Sequence, residues 1–442
     1  MNQTLQINSL VTRFHQLYGE GEIRLLRAPA RINIIGEHID YVSYLSTASL
    51  PFGSHEHAMW MAFRPNHDGV IRGASVNVNF DSFEFKIHEG IDVIGQNWNE
   101  YIFSRPVPAS HWSNYVKGAV FFTLTKDVPS PVQGYDFLID STIPPQGGSS
   151  SSSALTVLAG AAMRIVNKID YNPEILAQDS AQAEWFIGTR GGSLDHTAIC
   201  LSKRHHAVLL NYATNKSVSI PLPEDEVRWV TFFSHSADKG KEIMLEYNER
   251  AAVSRLIIPA LLDGNISAAS IKNLPEAISL EKTKLRFPDI FAQCLQAFPA
   301  LTEERFTQNL KIRSRAWHHF GEVERVNQAV EILQKNSADA MQKLGELMNQ
   351  THRSLRDLYE VCTPDVNQLI SIINEDSNVF GARIIGGGFG GNVLVLTTAD
   401  NVEALIERVQ NKYYAPQRRN GMLEGAIMIS TPGDGVSELT IR

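Results

Sequence analysis

The sequence predicts an α+β fold in two parts, and three observations carry that expectation. Strand-like alternation dominates the first hundred residues. Long amphipathic periods of three to four residues dominate the stretch from about 240 to 375. The chain then closes in the order strand, strand, helix, strand, which fits helices segregated to one side of a sheet.

Taken in order, Leu5, Leu10, Phe14 and Leu17 share one side of a helix over residues 4–19. Residues 24–36 are β-rich, and residues 57–66, 71–79 and 81–87 alternate as strands do. Residues 114–127 read as a helix and 135–144 as a strand. From 154 the period changes: Leu155, Leu158, Ala161, Ala162 and Ile165 mark a helix over 154–167, followed by a second over 173–187. Strands are expected near 196–201, 206–211 and 227–234. Amphipathic helices follow at 240–262, 314–335, 337–359 and 365–375. The end reads as strands at 382–387 and 392–398, a helix over 401–412 and a strand near 425–430. The polar, proline-containing stretch 215–225 suggests a boundary between a first domain, 1–220, and a second, 221–442.

Composition narrows the function. The 442 residues are 43% hydrophobic and 20% charged, ordinary for a globular chain able to bury a core without staples. A net charge of −8 argues against nucleic acid or an anionic membrane as partner. Cys200, Cys294 and Cys362 form no CxxC pair, which fits a reducing compartment and gives no zinc site. The N-terminus lacks a signal-peptide pattern and no apolar run is long enough to span a membrane. A cytoplasmic location is therefore expected, and no oligomeric state is dictated, a monomer being allowed.

Three stretches carry chemistry. The first, "APARINIIGEHIDY" (28–41), places Arg31, Glu37, His38 and Asp40 inside an apolar run. Buried polar groups of this density need partners. The second, "PPQGGSSSSSAL" (144–155), joins a strand directly to a patterned helix. A Gly/Ser linker is the alternative, but linkers join domains, whereas this run joins a strand directly to a strongly patterned helix. At that helix's N-terminus, unpaired N–H groups and a partial positive charge make an anion site. It is not a Walker loop, because no lysine follows the glycines. The third, "GARIIGGGFGGNVLVL" (381–396), lies between two strands, so a dinucleotide-binding reading fails. Either a tight turn or close packing of another loop against bare backbone explains its glycines.

In this order the three stretches resemble the motifs of the GHMP small-molecule kinases, and among them the galactokinases. "HWSNYVKGAV" (111–120), "AEWFIGTRGGSLDHTA" (183–198), "LEYNERAAV" (245–253) and residues 344–369 are similar to further blocks of that family. The resemblance covers nearly the whole chain. It implies a two-domain GHMP kinase fold with the active site in the interdomain cleft, and an ATP-dependent sugar 1-kinase acting on galactose or a close analogue. Asp195 matches the catalytic aspartate and Arg31 its partner; taken alone, Asp195 reads as a turn or capping residue. Glu37, His38, Asp40 and Tyr247 match sugar contacts. Gly147, Gly148, Ser149, Ser150, Ser151, Ser152 and Ser153 match the phosphate loop, and Ser153 with Glu184 would share Mg²⁺. The implied partners are a small-molecule sugar and ATP, with no nucleic acid and no membrane. His318, His319 and His352 read as structural, as do Trp112 and Tyr115.

Departures from the family pattern concern the sugar more than the reaction. Ala30 replaces a glycine, and Ser149 and Ser150 replace Gly-Leu in the phosphate loop, where a serine forced to positive φ would be strained and ATP binding weakened. The segment 42–50 is longer and lacks Asn-Asp-Gly; bordering the sugar pocket, it is a place where specificity could change. Arg190 is new, and if it reached the sugar it would favour a uronic acid, whereas Glu37 would repel one. A uronate 1-kinase and a non-catalytic sugar and ATP sensor are the alternatives. Mevalonate or homoserine chemistry would waste the polar cluster at 37–40.

Overall fold

A computed structural model describes residues 3–126, 130–144, 148–214, 216–223, 226–236, 241–416 and 425–440. Gly147 and positions 215, 224 and 225 of the expected boundary lie outside the described residues.

The strand Arg24–Asn33 lies one strand in from an edge of a seven-stranded sheet. It pairs antiparallel with Pro51–Asn66, which pairs with Gly134–Ser141. Val70–Ser75 adds the one parallel pairing of this sheet and Phe83–Lys86 the far edge. The chain end returns here: Ser437–Leu439 pairs with Arg24–Asn33, and Pro432–Gly433 with Pro51–Asn66. Helices Ser113–Leu124, Ser151–Val166 and Pro173–Glu184 cover one face, burying Leu26, Met61, Phe137, Leu155 and Leu158 in one core.

A four-stranded antiparallel sheet runs in the order Val379–Ile384, Asn392–Thr398, Val227–Phe233, Ile427–Ser430. One of its faces packs with the helices Arg313–Lys335 and Ala340–Ser354. That core also takes Ile32, Ile34, Ile35 and Phe52 from the other sheet's strands and the turn after them. The "ARINIIG" run is apolar because it is buried between the two sheets' cores, which fixes where the polar residues after it emerge.

The run 196–201, expected as a strand, is instead the end of a helix, Leu194–Leu201. A six-residue, mostly apolar run is ambiguous between the two forms, and Asp195 in the first turn favours the helix electrostatically. Among the described residues three helical stretches contain π turns, at Val253–Ile257, Leu355–Tyr359 and Gln410–Tyr414, which the amphipathic period alone does not distinguish from α.

Candidate active site

The polar residues that the sequence singles out converge on one cleft of about 480 Å³. Arg31, Glu37, His38, Asp40, Gly148, Ser150, Ser151, Ser152, Ser153, Glu184, Asp195 and Tyr247 all line it.

At its floor Arg31 Nε donates to Asp195 Oδ1 at 2.6 Å, and Nη2 also contacts that oxygen. Arg31 is 2% exposed. Burial works most strongly against the Asp195 carboxylate, but the Arg31 charge, the Ser150 hydroxyl and His196 together outweigh it and hold its pKa below the ordinary range. Burial likewise works against the Arg31 charge, which Asp195 and then Glu37 more than restore.

The Gly/Ser stretch meets this pair from one side. Ser150 caps the helix Ser151–Val166 with φ 62°, a left-handed conformation strained for a serine. The strain thus falls on Ser150 rather than Ser149. Ser149 does not line the cleft: its hydroxyl accepts from Asn392 Nδ2 at 2.9 Å, and its carbonyl accepts from Arg31 N at 3.3 Å. The two glycine-rich loops touch backbone to backbone. A Cβ on Gly148 would meet Ile385 O at 2.9 Å, and one on Gly386 would meet Gly148 Cα at 2.9 Å. Those glycines are therefore packing requirements.

Glu184, at the end of its helix, accepts from Ser153 Oγ at 2.8 Å, and His196 Nε2 lies 2.6 Å from the same Oε2. His196 lines the cleft and was not singled out from the sequence, where it is one histidine in a short apolar run. No cluster of three or more His, Cys, Asp or Glu side chains suited to a metal exists among the described residues.

On the opposite side the chain turns after Asn33 through Gly36, φ 94°, and His38, φ 59°. Glu37 Oε2 accepts from Arg383 Nη2 at 2.9 Å and from Asn33 Nδ2 at 3.2 Å. His38 Nδ1 pairs with the Tyr41 hydroxyl at 3.2 Å, which meets Tyr359 Oη at 2.6 Å. His38 Nε2 is buried without a partner among the described residues. Burial, then Arg250 and Arg383, push the His38 pKa down to about 3, so the ring is neutral. Asp40 Oδ2 accepts from Leu194 N at 3.2 Å. Burial, then the Asp195 charge, push Asp40 up to about 6. Gly192 makes room for it: a Cβ there would lie 2.1 Å from Asp40 Oδ2.

Two specificity expectations change. No residue of 42–50 lines the cleft. That segment packs down instead, with Thr47 and Ser49 fully buried and Tyr44 Oη 2.8 Å from His319 Nδ1. Arg190 does not line the cleft either. Its guanidinium lies over Phe103 and Trp185 at 5.1 and 5.8 Å and donates to Trp185 O. Tyr115 does line the cleft, whereas Trp112 packs edge-on against Phe83 at 4.6 Å.

Comparison with known proteins agrees with this geometry. Residues 114–203 match the family described as GHMP kinases N terminal domain, and residues 333–415 match GHMP kinases C terminal. Residues 12–49 match the galactokinase galactose-binding signature. A galactokinase of Chloroflexus aurantiacus is 29% identical over 98% of this chain and 97% of its own length. One of Fusobacterium nucleatum is 28% identical over 98% of this chain and all of its own. Among solved structures, Lactococcus lactis galactokinase in complex with galactose aligns with a TM-score of 0.74 at 24% identity, over 98% of this chain and 100% of that one. A mevalonate kinase aligns at 0.57 with 14% identity, over 93% and 99%.

Proposed function

The chain belongs to the galactokinase family of the GHMP kinases, and from that premise we propose that it transfers the γ-phosphate of ATP to the anomeric hydroxyl of galactose. The observation that carries the reading is the Arg31–Asp195 pair, set where the Gly/Ser helix N-terminus faces the 37–40 cluster across one cleft.

Each group has a chemical task in this reading. The N-terminus of Ser151–Val166, with the hydroxyls of Ser150 to Ser153, binds the nucleotide phosphates through unpaired N–H groups. Glu37, His38, Asp40 and Tyr247 exchange hydrogen bonds with the sugar hydroxyls; the unpartnered His38 Nε2 supports this. Asp195 accepts the proton as the hydroxyl attacks, and Arg31 stabilises the charge spreading between the oxygen and the phosphoryl group. Phosphoryl transfer rests mostly on such positioning and charge stabilisation. Ser153 and Glu184, 2.8 Å apart, fit the sparse oxygen set that Mg²⁺ takes from protein when phosphates complete its shell. Bound there with ATP, the ion would neutralise phosphate charge.

A neutral sugar is favoured over a uronate. Two carboxylates, Glu37 and Asp40, face the pocket, and Arg190, the arginine new to this chain, points elsewhere. The test is a coupled ADP-release assay with Mg-ATP across neutral hexoses, amino sugars and uronic acids, with Asp195→Ala as control. Galactose turnover that falls by about 10²-fold or more in the variant is expected. Turnover of a uronate alone overturns the substrate assignment. Binding of sugar and ATP with no turnover by the unaltered protein replaces the kinase with a sensor.

A further inference from the structure

The turn that delivers Glu37, His38 and Asp40 to the cleft has almost every peptide group held by side chains or strands from elsewhere. The carbonyls of Asn33 and Ile34 accept from Arg383 at 2.6 and 2.8 Å. The Ile35 carbonyl accepts from Leu50 N at 3.0 Å, and Ile34 N donates to Leu50 O at 3.1 Å. The Gly36 carbonyl accepts from Ser49 Oγ at 2.6 Å, and the Glu37 carbonyl from His318 Nε2 at 3.1 Å. The N–H groups of Gly36 and Glu37 both donate to one oxygen, Glu322 Oε1, at 2.8 and 3.2 Å.

Glu322 sits mid-helix in Arg313–Lys335 and is fully buried. Its other oxygen accepts from Arg325 Nε at 2.9 Å and Thr351 Oγ1 at 2.9 Å. Burial opposes its charge, and Arg325 and then Arg383 outweigh that, so the carboxylate stays ionised. Two successive N–H groups converging on an anion form a small nest. Here the anion is part of the protein and lies on the side of the turn away from the cleft: Glu322, His318 and Arg383 do not line it. Without such an anchor, the left-handed conformation at His38 would relax toward ordinary backbone geometry, and the side chains that follow would swing. Glu322 and His318 lie outside the three matched family segments.

We propose that Glu322 is a positioning residue for the sugar subsite, its carboxylate clamping the backbone of Gly36 and Glu37 so that Glu37, His38 and Asp40 meet the sugar in register. The role rests on the sugar-kinase reading above. It belongs to sugar binding and not to the nucleotide side of the cleft, which the clamp does not touch. A residue that only stabilised the fold would change the fraction of active protein and leave both KM values in place.

The test uses the full chain in two variants. Glu322→Gln keeps shape and one acceptor, and Thr351→Val removes one donor to the carboxylate at nearly constant volume. The expected result is a galactose KM raised about tenfold in Glu322→Gln and about threefold in Thr351→Val, with the ATP KM within about twofold of the unaltered protein. Amide hydrogen exchange should accelerate selectively in peptides covering residues 33–41. Unchanged exchange there overturns the clamp, whichever sugar the enzyme uses. Faster exchange with an unchanged sugar KM overturns its role in sugar binding. Absence of any sugar turnover by the unaltered protein overturns the kinase reading and the sugar role with it, while the exchange measurement still reports on the clamp alone.

Discussion

Asp40 should weaken the protein that needs it. Folding raises its pKa from 3.8 to about 6, through burial and then the neighbouring Asp195 charge. At ~1.36 kcal/mol per unit, keeping it ionised at neutral pH costs about 3 kcal/mol. An acid with a raised pKa holds its proton more tightly folded than unfolded. Stability therefore falls as pH rises from about 4 to about 6, and the cost is complete above that window. Asp40→Asn removes the charge while an amide oxygen remains to accept from Leu194 N. With an unfolding entropy of ~2.1 cal/mol/K per residue over the chain, the gain corresponds to a Tm higher by about 3 °C. The assay is a set of thermal melts of both proteins, without ligand, from pH 4 to pH 8. The variant should melt higher above pH 6 and converge with the parent near pH 4. A variant that melts at or below the parent at pH 8, or a gap that persists undiminished at pH 4, would refute the electrostatic reasoning. In the same variant, loss of a charged acceptor worth about 1.5–3 kcal/mol should raise the galactose KM roughly ten- to hundredfold.

Three further outcomes follow from the geometry. Glu184→Gln should raise the Mg²⁺ concentration for half-maximal activity about tenfold and leave the sugar KM unchanged, read by titrating Mg²⁺ at saturating ATP; an unchanged requirement removes Glu184 from the ion. Arg190→Met keeps an apolar stem against Phe103 and Trp185, so the ratio of galactose to galacturonate turnover should not move; a shift would mean that the arginine reaches the sugar after all. Gly192→Ala puts a methyl group 2.1 Å from Asp40 Oδ2, which should cost about 1–3 kcal/mol in chemical denaturation and weaken sugar binding; tolerance of the alanine would show that Asp40 is free to move.

Most of the site was legible because phosphate and sugar chemistry leaves local traces. A run of glycine and serine at a helix start, and a polar tetrad inside an apolar segment, are patterns that each fit within ten residues. What escaped is long-range or short of pattern. The end of the helix Leu194–Leu201 was expected as a strand because a six-residue, mostly apolar run carries too little period. His196 looked like a lone histidine in a short apolar run, and Glu322 like any polar residue on a helix. Arg383 stood in a recognised motif, but nothing near it in sequence hints that its guanidinium reaches back to Asn33, Ile34 and Glu37.

The sequence by itself determined the family, the two glycine-rich loops and the inventory of acids, arginine and hydroxyls that phosphoryl transfer to a sugar requires. Only the tertiary structure decided what each member of that inventory does. It paired Asp195 with Arg31 and buried Asp40 beside the same aspartate, so one carboxylate is held below its ordinary range and the other pushed above it. It turned Arg190 onto aromatic rings and the 42–50 segment away from the cleft. Charge state and side-chain direction depend on desolvation and on distances across space. Those quantities are set by contacts such as Arg31–Asp195, 164 positions apart in the chain, and no local pattern encodes them.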